Sequence, residues 1–190
     1  NGAGKTTLLR ILTGQSFSSG GSFEIFSTTC DKELNEVKKN MGVIIESPSF
    51  YPNLTVEKNL EYYRIQRGIP GKDKVVNALR EVNLYDARNK KFSQLSLGMK
   101  QRLGLALSIM GDSELLILDE PINGLDPSGI IEIRNLLLRL NREKNITIVI
   151  SSHILLELAN IATYYGFLNK GKLVKEISAI ELNEQCRSYL

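Results

Sequence analysis

Cysteine is scarce in this chain: Cys30 and Cys186 are the only two among 190 residues. They show no metal-ligand spacing and no sign of secretion accompanies them, so they read as ordinary thiols. Charge of one sign is scarce too. The 24 Lys and Arg against 21 Asp and Glu leave a net +3, too small and too dispersed to make nucleic acid or an anionic membrane a direct partner. Long apolar runs are missing. The longest, such as 115–118 and 146–150, have the length of core strands and are far too short to cross a bilayer. Work at a membrane would therefore pass through a partner. The chain has no initiator Met and opens at Asn1 directly in a glycine-rich loop. We expect a piece of a longer chain, with any targeting segment out of view.

What is present is ordinary globular material, 42% hydrophobic and 24% charged, enough for one domain with a real core or one domain of two lobes. Three runs, 42–45, 115–119 and 146–152, are rich in Ile, Leu and Val without clean alternation. They read as parallel strands buried on both faces. Helical patterns lie between them. Met99, Leu103, Leu107 and Met110 fall on one face, as do Ile130, Ile133, Leu137 and Leu140, the latter after Asp126 as N-cap and Pro127 at the first helical position. This alternation predicts an α/β fold with a mainly parallel sheet. Residues 51–105 differ: they hold no convincing strand, and Val56, Leu60 and Tyr63 recur at helical spacing, as do Val75, Leu79 and Val82. Gly68, Pro70 and Gly71 separate the two helices. We expect a helical lobe at 51–105 inserted into an α/β core formed by 1–50 and 106–190, all within a single domain. A hairpin around a Gly turn is expected at 164–176, and a helix over the last dozen residues.

Three motifs carry chemistry. Asn1-Gly2-Ala3-Gly4-Lys5-Thr6-Thr7 matches the second half of the phosphate-binding loop GxxxxGK[ST]. Its glycines let several N–H groups point at one anion, and the helix that follows adds its positive end. Lys5 is placed to reach phosphates and the Thr6 hydroxyl to bind Mg²⁺. The second motif is an apolar strand, Leu115-Leu116-Ile117-Leu118, ending in Asp119-Glu120. Ligands of open α/β sheets bind at that end of the strands, so Asp119 suits the metal and Glu120 an attacking water. The third is Leu95-Ser96-Leu97-Gly98-Met99, where Ser96 and Gly98 open a helix and make a second anion site.

Taken in order, these segments resemble the nucleotide-binding domain of ABC-type ATPases, and Glu46-Ser47-Pro48-Ser49-Phe50-Tyr51-Pro52-Asn53-Leu54-Thr55 is similar to exporters of the bacitracin and lantibiotic self-protection type. Asn123-Gly124-Leu125-Asp126-Pro127 is similar to the family's D-loop and Ser151-Ser152-His153 to its H-loop. The resemblance implies a P-loop NTPase (RecA-like) core whose first strands are missing here. It implies ATP and Mg²⁺ as ligands, with Asn1 to Thr7 on the nucleotide, Thr6 and Asp119 on the metal, Glu120 as catalytic base and His153 on the γ-phosphate. Ser96 and Gly98 would bind the ATP of a partner domain, and Asp126 would lie at the seam of a head-to-tail homo- or heterodimer. The implied setting is the cytoplasmic face of a membrane, beside a separate transmembrane permease and with no nucleic acid. The alternatives are a soluble ABC-type ATPase acting on ribosome or DNA and a non-hydrolysing regulatory module. Guanine specificity is disfavoured, because Asn169-Lys170-Gly171-Lys172 lacks the Asp of NKxD.

The chain departs from the family pattern at two positions. Glu46 stands where the family usually has Gln. An ionised Glu only accepts hydrogen bonds, and near a γ-phosphate it would be repelled unless Mg²⁺ or water bridges it. We therefore expect Glu46 as a catalytic or metal-linked residue that couples nucleotide state to the membrane partner. The signature reads LSLGM where LSGGQ is common, yet keeps Ser96 and Gly98. Because the strand feeding the phosphate loop is not part of the chain, we also expect the 190-residue piece alone to be unstable.

Overall fold

The computed structural model describes residues 2–29, 34–46 and 49–187. Asn1, Cys30 and the 47–48 pair lie outside them. The elements run α1 (Lys5–Leu12), β1 (Glu24–Ile25), β2 (Thr28–Thr29), α2 (Leu34–Lys38), β3 (Met41–Ile44), α3 (Val56–Gln66) and α4 (Asp73–Glu81). After two single-turn 3-10 segments come α5 (Leu97–Ile109), β4 (Leu115–Asp119), α6 (Pro127–Lys144) and β5 (Thr147–Ser151). The chain closes with α7 (Leu155–Leu158), β6 (Tyr164–Asn169), β7 (Lys172–Ser178) and α8 (Ala179–Arg187).

The centre is a three-stranded parallel sheet in the order β3-β4-β5. The period of two along β4 sends Leu116 and Leu118 into one apolar cluster and Leu115 and Ile117 into a second on the opposite face. Leu116, Ile117 and Leu118 are essentially inaccessible, and each such burial is worth about 1.5–3 kcal/mol. The first cluster is continuous. It runs from Ile44 and Leu118 of the sheet through Leu103, Leu105 and Met110 of α5 to Val56, Leu60 and Leu79 of the helices at 56–81. At Gly42, α5 approaches so closely that an added Cβ would overlap the Ser108 carbonyl oxygen. Glycine is what lets this helix lie on β3.

Two expectations need correction. The run at 146–152 is not buried on both faces: in β5 the burial alternates, Thr147 and Val149 being exposed and Ile148 and Ile150 packed on the first cluster. On the second face α1 packs against β4 and α2 against β3, while β5's helical neighbour, α6, lies on the first face. Nor does α5 bury one stripe alone. Every residue from Leu103 to Ser108 is buried, because α5 is wrapped by the sheet, by α3, α4 and by α6. Over 103–108 the helix is enclosed on all sides and has no polar face to show.

Helix starts follow their side chains. Thr55 accepts a hydrogen bond from the Lys58 N–H at 3.2 Å, and Asp126 from the Gly129 N–H at 3.1 Å with Pro127 at the first position. In the hairpin β6–β7, Asn169 pairs with Lys172, and the two residues between them, Lys170 (φ 47°) and Gly171 (φ 75°), both lie in the left-handed region. That is the backbone of a tight two-residue turn whose twist matches the strands.

Candidate active site

The parallel register decides which side chains meet. β4 and β5 pair Asp119 with Ser151, which brings both to the carboxyl edge of the sheet, where α1 begins. Thr6, at the start of α1, donates its hydroxyl to Asp119 Oδ2 at 2.6 Å. Ser151 donates its own to Asp119 Oδ1. Both oxygens of the carboxylate are therefore held, one by the loop-bearing helix and one by the neighbouring strand.

Beyond Asp119 the strand stops. Glu120 has φ 50°, which turns the chain out of the sheet. Its N–H is caught by Ser151, by the carbonyl at 3.1 Å and the hydroxyl at 3.2 Å. A left-handed residue without a glycine costs on the order of 1–3 kcal/mol and is kept only where neighbours enforce it. The turn aims the Glu120 carboxylate at two groups. Oε2 lies 2.8 Å from His153 Nδ1, and Oε1 lies 3.7 Å from Lys5 Nζ. An ionised carboxylate only accepts, so with Glu120 in that form Nδ1 of the imidazole carries a proton and donates it to Oε2. Lys5, Thr6, Asp119, Glu120 and His153, scattered over 148 positions of the chain, thus form one connected set.

Gly2 (φ 79°) and Gly4 (φ 100°) both adopt left-handed backbone, the curl that the sequence pattern requires of an anion-binding loop. Two hard oxygen donors, Thr6 Oγ1 and Asp119 Oδ2, share one point. Mg²⁺ takes just one or two protein oxygens and fills its remaining positions with phosphates and water, so this pair fits it. No cluster of three or more His, Cys, Asp or Glu occurs among the described residues.

Glu46 is not part of this set. It lies two residues beyond β3 in left-handed backbone, φ 64°, but its carboxylate is largely exposed and pairs with Arg10 of α1. Ser96 and Gly98 also stand apart. With Asp126 they line a second cavity of about 460 Å³ that includes Arg102 and Glu132 and none of the five residues above. There Ser96 caps α5, accepting from the Met99 N–H at 3.3 Å. A larger cavity, about 550 Å³, opens beside Glu114 and Ile146 at the opposite edge, where the strands start. Its Lys74 pairs with Asp112 and its Glu81 with Lys144, and ligands of parallel sheets bind at the other edge. Of the residues anticipated for the site, Asn1 lies outside the described ones. Ser151 and Arg10 were not anticipated as partners. The pairing of Ser151 with Asp119 follows from strand register, which spacing alone does not reveal.

Residues 1–123 match the ABC transporter family, and the chain belongs to that family. It is 46% identical to the bacitracin transport ATP-binding protein BcrA of Enterococcus faecalis over the whole chain and 61% of that protein. It is 41% identical to the lantibiotic transport ATP-binding protein SrtF of Streptococcus pyogenes, over 93% of this chain and 75% of that one. The chain thus spans less than two thirds of the bacitracin relative. Among solved structures, cbiO1 of Clostridium perfringens, part of the ABC transporter complex cbiONQ, superposes with a TM-score of 0.86 at 25% identity, over 99% of this chain and 78% of that one. A dimeric ATP-binding cassette in a post-hydrolysis state bound to ADP and Pi gives 0.80 at 23% identity, over 93% and 81%. The fold is that of the ATP-binding cassettes.

Proposed function

We propose that this chain is the ATP-hydrolysing part of a membrane exporter motor. The observation that carries it is Glu120, whose one carboxylate links Lys5 of the phosphate loop to His153 at the end of β5. The loop from Asn1 to Thr7 cradles the phosphates of ATP and Lys5 adds a charge-assisted contact. Thr6 and Asp119 are the residues that would hold Mg²⁺, which when bound offsets charge on the phosphates. Glu120 orients a water and takes its proton. The Nδ1 hydrogen bond from His153 fixes the carboxylate for that task, and in the doubly protonated ring Nε2 donates its own N–H to the γ-phosphate.

Ser96 and Gly98 take the ATP held by a second nucleotide-binding domain, with Asp126 at the seam. In support, a fold relative is a dimer bound to ADP and Pi. Glu46 gates the link to a separate transmembrane permease at the cytoplasmic face of the membrane. The Arg10 pair keeps its carboxylate clear of the phosphates until closure. The similarity to the bacitracin transport protein BcrA and the lantibiotic transport protein SrtF supports a peptide antibiotic as cargo. No helix among the described residues is long and apolar enough to cross a membrane.

The test is Glu120→Gln in the full-length protein. ATP binding should persist while phosphate release falls by about 10²–10⁴-fold. Unchanged turnover would remove Glu120 from the mechanism.

A further inference from the structure

The turn of the C-terminal hairpin touches the phosphate loop. The Gly171 N–H donates to the Ala3 carbonyl at 2.9 Å, and the two backbones are so close that a Cβ on Gly4 would lie 3.3 Å from Gly171 Cα. The donor is available because of the turn type. In a two-residue turn the flanking pair, here Asn169 and Lys172, closes the ladder, so the N–H groups of the two central residues are left outside it. Positive φ at Lys170 and Gly171 builds that turn.

The contact has a consequence for the loop. The Ala3–Gly4 peptide is trans, like every described peptide bond here, and in a planar trans peptide the C=O and the following N–H point in opposite directions. Tying the Ala3 carbonyl to the hairpin therefore fixes the Gly4 N–H on the side away from it. Gly4 at φ 100° is the residue least able to hold one orientation unaided, since glycine gives up the most backbone freedom on ordering.

We propose that Gly171 is a positioning residue for phosphate binding: the hairpin turn holds the Ala3–Gly4 peptide in the orientation that presents the Gly4 N–H to an anion. The proposal rests on the reading of this loop as a nucleotide site. It adds a segment remote in sequence, at 170–171, that acts only through the loop.

Replacing Gly171 with glycolic acid in the full-length protein exchanges its N–H for an ester oxygen and keeps the turn's shape. ATP and ADP binding, measured by calorimetry, should weaken about fivefold, the worth of one net hydrogen bond. The same bond is present without nucleotide, so the melting temperature should also fall, by about 2–4 °C. D-Alanine at 171 keeps the N–H and favours positive φ, so it should bind as the wild type does. Equal affinity of the ester and wild-type proteins overturns the proposal. So does a loss of affinity that appears equally with D-alanine, which would mark a plain folding role. Wild-type protein that binds no ATP would instead sink the nucleotide reading itself.

Discussion

The edge built by Thr6, Asp119, Ser151, Glu120 and His153 is closed by its own hydrogen bonds, whereas the corner of Ser96, Gly98 and Asp126 stays open. Both begin at helix N-termini, α1 in the first and α5 and α6 in the second. At the closed edge, polar side chains from three distant segments satisfy one another. At the open corner, Ser96 Oγ and Asp126 Oδ1 each cap their own helix, and no partner for the Ser96 hydroxyl proton occurs among the described residues. A capping oxygen accepts with a lone pair and keeps its proton free to donate. The closed edge satisfies its polar groups within one chain, while the open corner keeps a hydroxyl donor free, as the proposed shared site requires.

The sharpest way to break this contrast is to disable each region in turn. Lys5→Ala should weaken ATP binding by the isolated subunit about tenfold to a hundredfold, the worth of a charged hydrogen bond. Ser96→Asp should leave that affinity unchanged, since Asp caps as well as Ser, yet abolish ATP-driven pairing by setting a negative charge against phosphate. Equilibrium binding and sedimentation in ATP read both. If Ser96→Asp weakens the monomer's affinity, the two regions are one site.

Within the closed edge, Ser151→Ala releases one oxygen of Asp119. The Mg²⁺ concentration for half-maximal ATPase should rise roughly tenfold, as when outer partners of metal ligands are removed. Asp126→Ala at the open corner should cost about 1 kcal/mol in denaturant unfolding, with nucleotide affinity of the monomer unaltered. The smallest effect lies away from both regions. Arg64, hydrogen-bonded to Glu61 on α3, holds that carboxyl below its ordinary range. Its stabilisation is complete above the ordinary carboxylate value and fades as pH falls through the lowered one. Glu61→Gln should flatten that part of the stability–pH curve, read by denaturant unfolding across the acid range, with the smallest effect of these variants.

Much of this was legible in advance where a local rule sufficed. The strand at 115–119 was read to the residue, those at 42–45 and 146–152 to within a residue, and the cap at Asp126 follows from side-chain chemistry. The small hairpin β1–β2 was missed. Its strands have two residues each, too short for any period, and its turn puts Phe26 and Ser27 at positive φ, where Gly or Asn is the usual signal. The four-residue α7 escaped for the same reason of length.

The sequence by itself determined the α/β class, the phosphate-loop, acidic-strand and signature motifs and their order, because each depends on residues within about ten positions of one another. Only the tertiary structure decided that Ser151 grips Asp119, that Glu46 pairs with Arg10, that β5 leaves Val149 exposed and that Gly171 braces Ala3. Those contacts join segments from 32 to 168 residues apart in the chain. They are set by strand register and by how layers stack, and register is a property of paired strands that no single segment carries.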